Sequence, residues 1–216
     1  GMRLMAEIAT RTGVFDDAEF LLETVMELEP GHHDADIQLT HVLLRRQRFH
    51  KAHARAKSLY QRFDQPPQQV QALYASVCFG VGENDEAIRV YQEMIRGTPN
   101  DPALRVSLAH IYNATGESHL AIDLFKQAYE LNPSFGDAFW SLANTKSYRF
   151  TDDEVAAMTE RLSLDATPEL DRIQMHFALG KAQEDNHNFA AAFDNYQQGN
   201  ALKLATSNHS GQQLDI

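Results

Sequence analysis

The sequence is short of several things, and each shortage excludes a class of protein. One cysteine, Cys78, stands among 216 residues. No internal disulfide can form, so a disulfide-stapled secreted scaffold and a cysteine-rich zinc site are both excluded. No uninterrupted apolar stretch approaches the roughly 18 residues that a bilayer span needs. The N-terminus lacks the basic-then-apolar pattern of a signal peptide. Positive charge is scarce: 19 Lys and Arg stand against 30 Asp and Glu, a net charge of −11. Such a surface repels phosphate backbones and anionic lipid heads, which argues against nucleic-acid and membrane partners. The reading is a soluble, acidic, cytoplasmic chain, long enough to bury a sizeable core.

What the sequence does have is a period. Alanines recur at Ala18, Ala52, Ala87, Ala121 and Ala192, with gaps of 34, 35, 34 and 71 residues. Pro30, Pro99 and Pro133 repeat at 69 and 34, and so do Gly13, Gly82 and Gly116. The unit reads most clearly over 102–135. Leu108, Ala109 and Tyr112 share one helical face, and Gly116 stops that helix by tolerating a left-handed backbone. Ala121, Phe125 and Ala128 form the stripe of a second helix, which Pro133 ends. Small residues at Ala109 and Ala121 let the two backbones approach.

These positions resemble the tetratricopeptide repeat, a helix–turn–helix unit of about 34 residues. The resemblance implies an all-α fold whose hairpins stack into a right-handed superhelix of about six units. Regular units fall at about 1–32, 33–67, 68–101 and 102–135. In the second, Gln47 replaces the turn glycine. Divergent units fill 136–204. In the fifth, Tyr148-Arg149-Phe150 replaces the glycine turn, and Thr151 with Glu154 has capping-box spacing, so a helix is expected to about Leu162. Residues 165–168 read as a linker, a sixth unit runs over about 170–204, and residues 205–216 read as a flexible tail.

Two C-terminal segments carry a more specific resemblance. They are Phe139-Trp140-Ser141-Leu142-Ala143-Asn144 with Tyr148-Arg149-Phe150, and His176-Phe177-Ala178-Leu179-Gly180-Lys181-Ala182 with Gly199-Asn200-Ala201-Leu202-Lys203. Together they look like the repeat region ahead of the catalytic domain in bacterial tetratricopeptide–sulfotransferase fusions. The phosphosulfate-binding strand–loop–helix of that family is absent here: Gly80-Val81-Gly82, the nearest glycine pair, closes a helix. Gly1-Met2 reads as an expression scar on an internal start, so the chain reads as a non-enzymatic fragment with no cofactor. The alternative is a free-standing adaptor in bacterial assembly or envelope biogenesis. A repeat module of a glycosyltransferase is a third reading.

Candidate chemistry is sparse. His50 and His53 lie i, i+3 on one helix, but that helix carries no cysteine or carboxylate at matching spacing, so they read as a solvated face. His32-His33 reads as a turn and Cys78 as a small buried hydrophobe. Asp16-Asp17 and Asp152-Asp153-Glu154 read as acids favoured at helix N-termini. Asn208-His209-Ser210 formally fits a glycosylation sequon. No metal site is expected.

First helices of such repeats line the concave side, and the resemblance maps a groove onto Ile37, His41, Leu44 and Arg45, then Gln69, Ala72, Ser76 and Phe79. Val106, His110, Asn113 and Ala114 follow, then Trp140, Asn144 and Tyr148. The lining suits an extended peptide held by amide hydrogen bonds and apolar anchors, with Asn113 and Asn144 in the amide role. Self-association is the other expected use. Ser76, Val106, Ser107, His110 and Ser141 occupy the places where carboxylate-clamping repeats carry cations, so a chaperone-tail adaptor is not expected.

Overall fold

The computed structural model describes the backbone of residues 1–164 and 166–212, with side chains as far as Thr206. Twelve α-helices and no strand occur among these residues. They are α1 (Met2–Arg11), α2 (Phe15–Leu28), α3 (His33–Arg45), α4 (Phe49–Tyr60), α5 (Gln68–Val81) and α6 (Asn84–Gly97). Then come α7 (Pro102–Ala114), α8 (Ser118–Leu131), α9 (Gly136–Ala143), α10 (Asp152–Leu162), α11 (Glu169–Asp185) and α12 (Phe189–Gln212). The chain divides into two compact units, Gly1–Gly97 and Thr98–Ile216.

The period in the sequence is the period of the turns. Gly13, Gly82 and Gly116 close α1, α5 and α7 at φ of 81°, 86° and 90°. Gln47 and His187 do the same after α3 and α11, at φ of 56° and 59°, without the freedom of glycine. All five turns carry one hydrogen bond from the residue after the left-handed position back into the helix. The donors Val14, Arg48, Glu83, Glu117 and Asn188 reach the carbonyls of Ala9, Leu43, Cys78, Tyr112 and Gln183 at 2.8–2.9 Å. That bond satisfies a helix-end carbonyl that would otherwise be orphaned. The recurring alanines Ala18, Ala52, Ala87, Ala121 and Ala192 are all buried. Each lets its second helix lie close against its neighbours.

In the N-terminal unit each helix packs on the next from α1 to α6. The core holds Leu22, Leu39, Val42, Leu59, Leu73, Val77 and Val90. Two buried acids are matched by arginines from neighbouring segments. Glu19 accepts from Arg46 and Arg48, each at 2.5 Å. Asp36 accepts from Arg55 and lies 3.1 Å from Arg62. Removing one partner of such a pair leaves a buried charge uncompensated. His32 caps α3, its Nδ1 accepting from the Ala35 N–H at 3.4 Å.

In the C-terminal unit one cluster gathers Val106, Ala109, Ala121, Phe125, Ala128, Ala138 and Leu142. A second gathers Phe139, Met158, Met175, Ala178 and Leu179. Here α9 has only 8 residues, and residues 144–151 replace the usual turn. The capping box at Thr151 and Glu154 forms as expected, and α10 ends at Leu162. Glu154 does more than cap. Its Oε1 accepts from Tyr129 at 2.7 Å and from Tyr148 at 2.5 Å, while its Oε2 accepts from the Thr151 N–H at 2.9 Å. Two glycines mark close approaches. A Cβ on Gly136 would lie 2.5 Å from the Asp171 carbonyl oxygen, and one on Gly180 would lie 2.4 Å from the Tyr196 ring.

The tail differs from expectation. Helix α12 continues through residue 205 to Gln212; residues 213–216 of the expected tail lie outside the described residues. Of the linker, residues 166–168 are non-helical and Asp165 lies outside the described residues.

Candidate functional site

The residues expected to line a groove fall into two sets. In the N-terminal unit, His41 and Arg45 are exposed on α3, and Ser76 is exposed on α5 with Phe79 half-buried. The Arg45 guanidinium sits 5.8 Å from the centre of the Phe15 ring, a cation–π contact. Although His41 has exposed surface, partial loss of solvation around its ring and the neighbouring Arg45 cation both lower its pKa. Ile37 and Val106, read from the sequence as groove-lining, are buried instead. They point into the stack, because a repeat helix buries both flanks against its neighbours.

In the C-terminal unit His110 and Asn113 are exposed on α7. His110 Nε2 lies 3.4 Å from Ser141 Oγ on α9, and its ring meets Phe125 edge-on at 5.3 Å. Although the residue is partly open to solvent, its ring is packed against Phe125, and that loss of solvation lowers its pKa against the raising effect of Asp137. Both shifts favour the neutral imidazole, which offers hydrogen bonds rather than charge. The Tyr148 hydroxyl is committed to Glu154, and burial with that carboxylate raises its pKa.

Trp140 and Asn144 belong to a cleft of about 340 Å³ bounded by α9, the segment after it, α11 and α12. Its apolar wall is aromatic: Trp140 tilts against Phe177 at 5.5 Å, and Phe177 against Tyr196 at 6.5 Å. Tyr196 is held by its hydroxyl, which donates to Glu184 at 2.8 Å. The rim is cationic, with Lys146, Arg149 and Lys181. Lys181 donates to Asp185, and Arg149 lies 3.5 Å from the same carboxylate. One largely buried acid thus anchors two cations, and the exposed Lys146 adds a third. Asn144 spends one amide N–H on the Trp140 carbonyl at 2.8 Å. Asn144 itself lines the cleft.

Sequence reasoning reached Trp140 and Asn144 and missed the cations. Lys146 and Arg149 sit in the segment that replaced the turn, where no repeat position assigns a role. Phe177 and Lys181 are i, i+4 on α11, a spacing that signals a shared face.

Elsewhere, His53 of α4 meets Cys78 of α5 and Glu83 of the following turn, with donor atoms all within 4.8 Å of one another. On its own helix His53 does lack a matching ligand, as its sequence indicates. The partners come from the next hairpin, which sequence spacing along one helix cannot reveal. Cys78 is fully buried, and burial pushes its thiol up to about 11.

Helical hairpins of one period, closed by one turn motif and stacked neighbour on neighbour, define a helical-repeat protein. The chain belongs to the tetratricopeptide repeat family, whose profile matches residues 2–134. No curated protein matches the sequence. Several solved structures share the fold. BtubC from P. vanneervenii is 14% identical with a TM-score of 0.61, covering 93% of this chain and 91% of the other. MamA from Desulfovibrio magneticus RS-1, residues 41 to the end, is 13% identical with a TM-score of 0.55, covering 94% of each. Human IFIT1, in a dimer with PPP-AAAA, is 17% identical with a TM-score of 0.66, covering 94% of this chain and 50% of the other. No helix among the described residues is long and apolar enough to cross a membrane.

Proposed function

We propose that this chain is a non-catalytic interaction module that binds an extended, acidic peptide segment of a partner protein in the cleft of its C-terminal unit. The observation that carries the reading is the aromatic wall of Trp140, Phe177 and Tyr196 beneath the rim of Lys146, Arg149 and Lys181. A cationic rim on a chain of net charge −11 runs against the overall charge. Repeat proteins of this family use such faces for protein partners. The aromatics would anchor an apolar side chain, the cations a carboxylate, and Asn144 the peptide backbone. His41, Arg45, Ser76 and Phe79, with His110 and Asn113, are proposed as further contacts on their own units.

Selection from a random peptide library tests this directly. Enriched peptides should carry Asp or Glu beside an apolar residue. Trp140→Ala and Arg149→Glu should each weaken the best peptide at least about tenfold by calorimetry, the scale of an interface anchor. A set of binders without acidic bias, or affinities unmoved by both variants, would reject the reading.

The segments 139–144 with 148–150, and 176–182 with 199–203, support a finer proposal: a bacterial, cytoplasmic parent in which a sulfotransferase domain follows the repeats. There the module would orient a substrate protein while residues beyond Ile216 transfer the sulfuryl group. The native coding sequence tests this. A strand, a glycine-containing phosphate loop and a helix downstream would support it, and their absence would leave the adaptor reading alone.

A further inference from the structure

We propose that His53, Cys78 and Glu83 form a binding site for a zinc-class divalent ion in the N-terminal unit. The three donors come from three places: α4, α5 and the turn that links α5 to α6. Their character is mixed, one imidazole nitrogen, one sulfur and one carboxylate oxygen. Sulfur and nitrogen donors select zinc and its neighbours over magnesium and calcium, which prefer oxygen alone.

The geometry is close to what such an ion needs. Bonds of about 2.0–2.3 Å in a tetrahedron place donors roughly 3.3–3.6 Å apart. His53 Nε2 and Glu83 Oε2 already stand at 3.2 Å. The sulfur lies within 4.8 Å of both, so it must close by at most about 1.5 Å.

Two observations separate this cluster from a chance meeting of side chains. The first is the state of the imidazole. His53 Nε2 is buried and makes no hydrogen bond, although Glu83 is at ion-pair distance. The carboxylate is out of line with the ring nitrogen, so the contact leaves a buried polar atom unsatisfied, which costs free energy. An ion shared by the two groups would satisfy both. The second is graded access. The Cys78 side chain is fully buried, that of His53 is 15% exposed and that of Glu83 is 47% exposed. An ion can enter past Glu83, and water can take the fourth position.

Glu86 adds a second acid near Cys78, its carboxylate paired with Arg89, and Lys57 is a nearby cation. The Tyr74 hydroxyl bonds to Cys78 and its ring stacks on His53 at 6.3 Å, so one side chain orients two ligands. On binding, the thiol proton leaves to solvent and the thiolate bonds the metal. The ion would then tie α4 to the α5–α6 hairpin.

Cobalt(II) is the probe, and the whole chain is the sample. Because Cys78 is the single cysteine, a near-ultraviolet thiolate-to-cobalt band can arise from no other residue. We expect that band, with the visible bands of four-coordinate cobalt, to saturate at one equivalent and to be displaced by zinc(II). Cys78→Ser should abolish it. His53→Ala and Glu83→Gln should each weaken cobalt binding at least about tenfold, and His50→Ala should leave it unchanged. Visible bands without the thiolate band would mean adventitious binding at surface histidines and would overturn the proposal. So would a thiolate band that survives His53→Ala unweakened. Where His53→Ala fails to fold, Glu83→Gln decides alone, because that side chain is half in solvent.

Discussion

Glu154 is the residue on which the most local structure converges. It caps α10, accepts two tyrosine hydroxyls, and so fixes the segment that stands in for the missing turn. Burial works against its charged form, but the hydrogen bonds from Tyr148, Thr151 and Tyr129 outweigh it and hold the carboxyl below its ordinary value of 4.5. A depressed folded-state pKa contributes stability that is complete above the unfolded value and lost as pH falls through the folded one. Glu154→Gln should therefore cost about 1–2 kcal/mol near neutrality. Thermal melts from pH 7 to pH 3 should show the gap to wild type narrowing below about pH 4.5. A gap constant across that range would mean the ionised form contributes nothing special. The capping role of Glu154 is legible in the sequence from the Thr151 spacing. The tyrosine contacts are not, because Tyr129 comes from a different repeat.

At the scale of the element, the turns separate what the sequence can say from what it cannot. Gly13, Gly82 and Gly116 announce a left-handed residue by their identity. Gln47 and His187 hold the same conformation, and only the period points to them. A non-glycine residue there is strained by about 1–2 kcal/mol. Glycine removes that strain but adds freedom to the unfolded chain, a cost of about 0.5–1 kcal/mol. Gln47→Gly and His187→Gly should each raise stability by about 0.5–1 kcal/mol, measured by urea denaturation. Destabilisation would show that these side chains make contacts worth more than the strain. The shortness of α9 was hidden from the sequence for a related reason. Phe139, Leu142 and Ala143 keep the repeat pattern, and nothing in them marks where the helix stops. The cleft follows from that early stop, since it frees Lys146 and Arg149 to stand on its rim.

Over the whole chain, helices mostly pack on their neighbours in sequence, so stability accumulates locally rather than across one central core. Gly136 lets that logic be tested. Its added Cβ would meet backbone atoms of Asp171, which cannot swing aside as a side chain can. Gly136→Ala should cost about 2 kcal/mol, the scale of forced overpacking. By hydrogen exchange the loss should appear in amides of α9, α10 and α11, with α1 to α4 unaffected. Equal acceleration in both units would show one cooperative block instead. The repeat fold was legible from the spacing of alanine, glycine and proline alone. The candidate sites were legible only in part, through Trp140 and Asn144, because both the cleft and the histidine–cysteine cluster draw their members from different repeats.

The fully buried Cys78 also makes the chain its own stopwatch. A thiol-specific dye can attach only when α5 lifts from its neighbours. The labelling rate therefore counts openings of the N-terminal unit, with no second thiol to blur the signal. An occupant that bonds the sulfur would slow that clock, and one seated on the C-terminal unit would leave it running.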